Sequence, residues 1–176
     1  MGKTSYVILD HENGNAIVCD GDAANSLLEL LESPITPSKM QPIYYDRQEE
    51  KIRFSSHQPA ILIHMMRHLA QQRGMKWCAL FSAVLRNGYQ IYTEERQIIA
   101  PQPWPFPDEK DFLATEDRVS FNLLVPKSII KQIRRYYKTH DVERGRRNKM
   151  LGSMLLYGYL YITGKLIVAE EGELNS

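Results

Sequence analysis

The sequence predicts a mostly helical α+β fold made of two copies of one strand–helix–helix unit. Residues 51–94 are repeated in pattern by residues 118–164, and one such unit needs a neighbour to bury its apolar face. Within each copy the apolar spacing changes from every second residue to every third or fourth, as it does where helices follow a strand. The chain has 176 residues, 43% hydrophobic and 24% charged, which suits a globular protein with a substantial core.

The repeat is weak in residue identity and clear in its apolar pattern. At an offset of 67 residues the matched pairs are Ile52 with Val119, Phe54 with Phe121, Pro59 with Pro126 and Arg67 with Arg134. Three residues are added in the second copy, around Thr139 to Gly145, and beyond them the offset is 70. At that offset Gly88 matches Gly158, so the pattern continues into the last predicted helix of each copy.

Each copy opens with a predicted strand whose two faces differ in polarity. The apolar faces carry Ile52 and Phe54 in the first copy and Val119, Phe121 and Leu123 in the second. The opposite faces carry Lys51, Arg53, Ser55, Arg118, Ser120 and Asn122. Because a strand of about six residues cannot bury itself alone, we expect the two strands to pair antiparallel, with their polar faces bare.

Two helices are predicted after each strand. Pro59 and Pro126 are expected at the first helical position, where the missing N–H of proline costs nothing. The first helix of each copy has apolar residues at intervals of three or four, as a helix with one buried face requires. A turn near Gly74 or Gly145 then leads into the second helix.

The matched glycines lie inside the apolar stripe of the second helix. Glycine in a helix interior costs about 1 kcal/mol relative to alanine, so Gly88 and Gly158 need a structural reason. Two explanations remain open, a close approach of two helices or a helix break.

The other segments are assigned by short patterns and composition. A hairpin is predicted from Tyr6–Leu9 and Ala16–Cys19 around Asn13-Gly14, followed by a helix over Ala23–Glu32 capped by Asp22. Alternating prolines give the central connector a stiff, extended conformation. The predicted boundaries are an acidic N-terminal element at 1–46, a first unit at 47–94, a Pro-rich acidic linker at 95–117, a second unit at 118–165 and an acidic tail at 166–176.

Charge is segregated along the chain, although the formal net charge is only +1. Residues 47–100 contain 8 Lys/Arg and 4 Asp/Glu, and residues 118–165 contain 11 Lys/Arg and 2 Asp/Glu. The remaining three segments are acidic. A nearly neutral protein can therefore present a strongly basic face, which here coincides with the two repeated units.

A two-stranded ribbon with a bare polar face fits the major groove of DNA, where each base pair displays its own donor and acceptor pattern. Arg and Lys suit guanine edges, Asn suits adenine, and Ser bonds to either donors or acceptors. The candidate base contacts are therefore Lys51, Arg53, Ser55, Arg118, Ser120 and Asn122.

This combination of element order, apolar pattern and polar ribbon resembles the ribbon-helix-helix superfamily of DNA-binding proteins, the Arc and MetJ type. In that family a homodimer normally supplies the two strands. Here one chain carries both units, which resembles the tandem members among accessory proteins of conjugative relaxosomes and T-DNA transfer systems. The resemblance covers about 90 of the 176 residues, and it implies an intramolecular pseudo-dimer that can act as a monomer.

The resemblance also implies that the N-terminus of each second helix binds a DNA phosphate through backbone N–H groups. The matching positions are Met75–Trp77 and Arg146–Asn148. Where the family often has Gly-x-Ser/Thr before this helix, the second copy is strongly basic and is expected to dominate phosphate binding. The candidate phosphate contacts are Lys76, Arg146, Arg147, Asn148 and Lys149. Two unlike units also predict a non-palindromic site, because operator symmetry mirrors protein symmetry.

These features predict a non-enzymatic, sequence-specific double-stranded DNA-binding protein. Its role is either that of an accessory factor in plasmid conjugative transfer or that of a transcriptional regulator. The alternative is a protein–protein adaptor or assembly factor whose basic faces meet an acidic partner, and residues 1–46 are a candidate docking element for a protein. RNA binding is less favoured, because the major groove of A-form RNA is too narrow for a ribbon.

No catalytic residue, cofactor or metal site is predicted. His64 and His68 are four residues apart, but Met-Met-Arg lies between them instead of the glutamate-containing zincin pattern. Cys19 and Cys78 are too few and too far apart for a zinc site or a disulfide framework. The N-terminus lacks the apolar core of a signal peptide, and no apolar run approaches the ~18 residues of a membrane span. We therefore expect a cytoplasmic protein with no membrane partner.

Overall fold

The computed structural model describes residues 6–10, 15–19, 34–93, 98–101, 117–165 and 167–168. This part of the chain has a mixed α+β fold with four α-helices and two antiparallel sheets. In chain order the elements are β1 (Tyr6–Asp10), β2 (Asn15–Cys19), a 3-10 turn (Pro37–Lys39), β3 (Lys51–Pro59), α1 (Ala60–Gln72), α2 (Trp77–Thr93), β4 (Ile98–Pro101), β5 (Arg118–Pro126), α3 (Lys127–Thr139), α4 (Arg144–Ile162) and β6 (Ile167–Val168). The predicted order of one strand followed by two helices is confirmed, and it occurs twice in the chain.

Strands β3 and β5 form a two-stranded antiparallel ribbon whose central pair joins equivalent residues of the two copies. Each strand has nine residues, and the register runs from Lys51 opposite Pro126 to Pro59 opposite Arg118. The central pair is Ser55 and Asn122, which are 67 residues apart in the sequence and so occupy the same place in the repeat. The ribbon therefore has a local two-fold relation centred on this pair.

The same two-fold relation holds where the strands pass into helices. The first N–H of α1, from Ala60, donates to the carbonyl of Asp117 at 2.6 Å. The first N–H of α3, from Lys127, donates to the carbonyl of Glu50 at 2.9 Å. The residue just before each strand thus accepts a hydrogen bond from the first N–H of the helix that follows the other strand. This N–H has no intrahelical acceptor.

The structure moves two predicted element boundaries. Pro59 and Pro126 are extended, with ψ of 128°, and precede their helices by one residue, so the prediction that they occupy the first helical position was wrong. The turn of the second unit is at Asp141 instead of Gly145. Asp141 has φ of 49°, and its equivalent Gly74 has φ of 62°, the left-handed conformation that ends many helices.

The three added residues of the second copy extend α4 and leave the preceding turn unchanged. Both turns have the same length, and both close with the same bond, from Met75 N–H to the Ala70 carbonyl and from Val142 N–H to the Tyr137 carbonyl, each 2.9 Å. Helix α4 therefore starts at Arg144. Relative to α2 it has an additional N-terminal turn, which at 1.5 Å per residue projects about 4.5 Å further.

Helices α2 and α4 cross in close contact at the matched glycines. A Cβ at Gly88 would lie 1.6 Å from the carbonyl oxygen of Met154, and a Cβ at Gly158 would lie 1.9 Å from that of Val84. Both helices run continuously through these positions. Close approach is therefore the correct explanation of the glycines, and a helix break is wrong.

The hydrophobic core lies between the ribbon and the helices, with α4 at its centre. Every residue from Leu151 to Leu160 is buried, as expected of a helix that contacts protein on all sides. The loop before β3 covers part of this core: Ile35, Met40 and Ile43 pack against it. In the described part of the chain, no helix is long and apolar enough to cross a membrane.

The second sheet has four antiparallel strands in the order β2, β1, β4, β6. Its β1–β2 hairpin was predicted from the sequence and is confirmed, with Tyr6 opposite Cys19 and Asp10 opposite Asn15. Strands β4 and β6 come from the segments assigned to the linker and the tail. The predicted helix over Ala23–Glu32 and most of the proline-rich stretch lie outside the described residues.

Candidate nucleic-acid interface

The solvent-facing side of the β3–β5 ribbon, here called the ribbon face, is polar along most of its length. Because side chains alternate along a strand, every second residue points away from the core. The exposed members are Arg53, Ser55 and His57 on β3 and Ser120, Asn122 and Leu124 on β5. Four of the six predicted base contacts therefore lie together at the centre of one exposed surface.

Three cross-strand pairs define this surface. Arg53 lies opposite Leu124, Ser55 opposite Asn122, and His57 opposite Ser120. Sequence reasoning missed His57 and Leu124 because it assumed strands of about six residues. The alternation ends before both residues in the sequence, because residues 55–58 are all polar and residues 123–125 are all apolar, so no local signal marked these two positions.

The two polar ends of the ribbon are occupied by intramolecular bonds. The ammonium of Lys51 donates to the carbonyl of Glu49 at 3.0 Å and to two other carbonyls of the preceding loop. It also lies 5.0 Å from the centre of the Tyr45 ring. At the other end, the guanidinium of Arg118 donates to the carbonyl of His57 at 3.1 Å. Both cations are half-buried and hold the ends of the ribbon, unlike the exposed central positions.

The additional first turn of α4 brings three arginines to the side of the ribbon. Arg144, Arg146 and Arg147 are all exposed. The N-terminus lies two residues before the predicted position, so the amides without intrahelical acceptors belong to Arg144 and Gly145. Among the predicted phosphate contacts, Arg146 in this turn and Lys149 in the next turn have exposed side chains.

Asn148 has a structural role that the sequence did not indicate. Its Oδ1 accepts from Ser56 Oγ and from Gln58 Nε2, each at 3.0 Å, and its Nδ2 donates to the carbonyl of His57 at 2.8 Å. Gln58 is 1% exposed. These bonds give Asn148 a positioning role, in which it sets the basic turn of α4 beside the ribbon. They use one of the two Nδ2 hydrogens, and the phosphate contact of Asn148 stays a prediction.

Arg147 is also held in place by its surroundings. Its Nε donates to the carbonyl of Val142 at 3.1 Å, and its guanidinium lies 5.5 Å from the centre of the Tyr137 ring. Tyr137 in turn donates from its hydroxyl to the Arg147 carbonyl at 3.0 Å. Burial raises the pKa of Tyr137 to about 12, against an opposing effect of the arginine. The phenol is therefore neutral at physiological pH, and the terminal nitrogens of Arg147 remain as donors for a ligand.

The first unit presents a much less basic helix N-terminus. Its predicted phosphate contact, Lys76, is exposed immediately before α2. The next residue, Trp77, packs inward against Phe81, with ring centres 5.5 Å apart. The two helix N-termini that flank the ribbon are therefore unequal in charge and in shape.

Sequence reasoning also missed Arg134 and Arg144 as members of the basic surface. Together with Arg147 they line a cleft beside Ser55 and Ser56 of the ribbon. The charge count of the second unit hinted at such a cluster. Which arginines converge depends on the packing of α3 and α4 against β3.

The two predicted surface histidines, His64 and His68, are exposed on α1. Among the residues that the structure describes, no group of three or more His, Cys, Asp or Glu side chains is arranged to hold a metal ion.

No protein-family model, curated protein or solved structure matches this chain. The geometry of the ribbon and the chemistry of its exposed side chains are the features that bear on function.

Proposed function

We propose that this protein binds double-stranded DNA in a sequence-specific manner, as a single-chain protein of the ribbon-helix-helix kind. The observation that supports this most strongly is the ribbon face. It is a two-stranded antiparallel ribbon whose central residues are exposed, able to form hydrogen bonds, and flanked by an arginine-rich helix N-terminus. A ribbon of this width enters the DNA major groove, which is about 12 Å wide.

The side chains of the ribbon face suit base edges. Arg53 matches the two acceptors of guanine, and Asn122 matches the donor–acceptor pair of adenine. Leu124, which is 49% exposed, is costly to leave in water and suits contact with the methyl group of thymine. Ser55 and Ser120 serve as short donors or acceptors to either strand.

The two half-sites read by such a ribbon would differ. In the repeat, Arg53 is equivalent to Ser120, Ser55 to Asn122, and His57 to Leu124, so no exposed position carries the same side chain in both units. Protein symmetry is mirrored in operator symmetry. We therefore propose a non-palindromic site bound by a monomeric chain.

Phosphate contacts would come mainly from the second unit. The N-terminus of α4 offers backbone N–H groups together with Arg144, Arg146 and Lys149, and N-terminal helix dipoles favour anions. Contacts of this kind fix the register on the duplex without carrying sequence information. Either proposed role, accessory factor in conjugative transfer or transcriptional regulator, requires this mode of binding.

The test starts with selection of duplexes from a random pool and measurement of affinity by fluorescence anisotropy. On the selected site, Arg53→Ala and Asn122→Ala should each cost about 1–3 kcal/mol and relax specificity at one position. Arg146→Ala should weaken binding to all duplexes and reduce the salt slope by about 1.

The matched control is Lys39→Ala. Lys39 is exposed and its backbone packs against Gly164, which follows α4 at the end opposite to Asn148, about 24 Å along the helix axis. Its removal should leave DNA affinity unchanged apart from a small general effect of charge. If no duplex binds even at low salt, DNA binding is refuted, and this result supports the alternative function as a protein–protein adaptor. If the ribbon variants bind like the wild type, base reading by these strands is refuted.

A further inference from the structure

A cavity of about 290 Å³ lies in the second unit, between β3, α3 and the first turns of α4. Its lining combines an apolar part, formed by Ile130, Ile133 and Leu151, with a cationic part, formed by Arg134, Arg144 and Arg147. The volume is close to the lower limit for small-molecule sites, which are likewise mostly apolar with a few convergent polar groups.

In the first unit, aromatic side chains stand at two of the equivalent positions. At the offset of 70, Trp77 takes the place of Arg147 and Phe81 takes that of Leu151. These two rings pack 5.5 Å apart, and Phe81 packs 5.0 Å from Phe121, so the indole and phenyl groups occupy the interior of that unit. Protein interiors are packed to nearly crystalline density. The cavity thus follows from a specific exchange of two aromatic residues for an arginine and a leucine.

We propose that this cavity binds a small organic anion, with an apolar ring body on the aliphatic floor and one oxyanion among the arginines. Guanidinium groups bind phosphate and carboxylate in a bidentate manner, which gives both strength and orientation. Arg147 is already held by the carbonyl of Val142 and by the ring of Tyr137, so less conformational entropy is lost when a ligand binds.

The site adjoins the DNA interface proposed above, because Arg144 and Arg147 belong to the basic N-terminus of α4. A bound anion would neutralise part of that surface and should weaken DNA binding. This consequence, unlike binding of the anion itself, rests on the proposed function.

The direct test is isothermal titration calorimetry of the full chain with 1-naphthyl phosphate. Two further probes separate the contributions: 1-naphthol carries the ring body alone, and inorganic phosphate carries the oxyanion alone. We expect 1-naphthyl phosphate to bind with 1:1 stoichiometry and at least tenfold more tightly than either probe.

Variants locate the site. Arg134→Gln should weaken binding of 1-naphthyl phosphate about tenfold, the loss expected for one charge-assisted contact. Its control is Arg135→Gln, the adjacent exposed cation on α3 that does not line the cavity, and this variant should bind like the wild type. Arg147→Trp copies the plug of the first unit and should abolish binding.

Three results would overturn the proposal: no heat of binding up to 1 mM 1-naphthyl phosphate, equal affinity for 1-naphthyl phosphate and inorganic phosphate, or equal losses in the Arg134 and Arg135 variants. Arg134→Gln changes an exposed side chain, so its result stands even if the Arg147→Trp variant does not fold. DNA affinity is measured separately, so a chain that binds 1-naphthyl phosphate but no duplex retains the anion site and refutes only the proposed function.

Discussion

The crossing of α2 and α4 allows a sharp test of the packing, because the same substitution should have opposite effects at two positions of one helix. Gly158→Ala places a Cβ 1.9 Å from the carbonyl oxygen of Val84, whereas ordinary contact begins at 3.4 Å. The two backbones must therefore separate locally by about 1.5 Å. Side-chain motion cannot relieve this contact, since the obstructing atom belongs to the main chain.

The magnitude follows from what surrounds the crossing. Val84, Leu85, Met154 and Leu155 are all 0% exposed, and a gap of 0.5–1 Å already forfeits about a quarter to a half of a dispersion contact. Overpacking a core commonly costs 1–3 kcal/mol. With a rigid obstacle and four fully buried neighbours, we expect Gly158→Ala to lower the free energy of unfolding by about 3 kcal/mol.

Gly145→Ala is the matched control. A Cβ at Gly145 meets no atom within 4 Å, and alanine is the better helix former, by about 1 kcal/mol in a helix interior. Because Gly145 is the second residue of α4, the free energy of unfolding should rise by about half that amount, roughly 0.5 kcal/mol. Urea denaturation followed by circular dichroism at 222 nm measures both changes. A loss below about 1 kcal/mol for Gly158→Ala, or equal losses at both positions, would refute the close crossing.

Three further predictions concern stability. Asp141→Gly should raise the free energy of unfolding by about 1 kcal/mol, since the left-handed conformation strains a residue with a side chain. Gly74→Ala should lower the free energy of unfolding for the same reason. A urea midpoint below that of the wild type for Asp141→Gly, or above it for Gly74→Ala, would contradict this. Asn148→Ala should cost about 1–2 kcal/mol, because it removes the acceptor of Ser56 Oγ and the donor to the His57 carbonyl, while the buried Gln58 Nε2 keeps Ser56 Oγ and the main-chain carbonyl of Asn148 as acceptors; an unchanged thermal unfolding midpoint would argue against its positioning role. Hydrogen bonds from Ser128 and then Arg86 lower the pKa of Glu49 from its ordinary 4.5, so this carboxylate stabilises the fold fully above that pH and progressively less as the pH falls through the lowered value. Glu49→Gln should therefore be less stable than the wild type at pH 7, with the difference shrinking below pH 4.5 in urea titrations at several pH values.

Much of the fold could be read from local sequence. The change of apolar period located both strand–helix–helix segments, and the alternation of Arg53, Ser55, Ser120 and Asn122 with apolar residues placed them on one exposed face. The matched Gly88 and Gly158 pointed to a helix crossing, which the structure confirms. These features were predictable because each depends on residues a few positions apart or on the offset of a repeat.

Other features were decided by tertiary packing. The sequence assigned three added residues to a turn, whereas the structure uses them to lengthen α4 and so brings Arg144 beside the ribbon. No local pattern indicated that the side-chain amide of Asn148 binds to β3.

The sequence by itself thus determined which elements form, which of their faces are apolar, and which unit is more basic, because periodicity and charge are local properties. Only the tertiary structure decided the register of the ribbon and the position of the cavity that Arg134, Arg144 and Arg147 line in the second unit. In the first unit Trp77 stands at the position of Arg147. The ribbon pairs residues that are 59 to 75 positions apart, and the cavity brings Arg144 and Arg147 beside Ser55, about 90 positions away in the sequence. Distances between such residues are set by the packing of whole elements, and no local pattern encodes them.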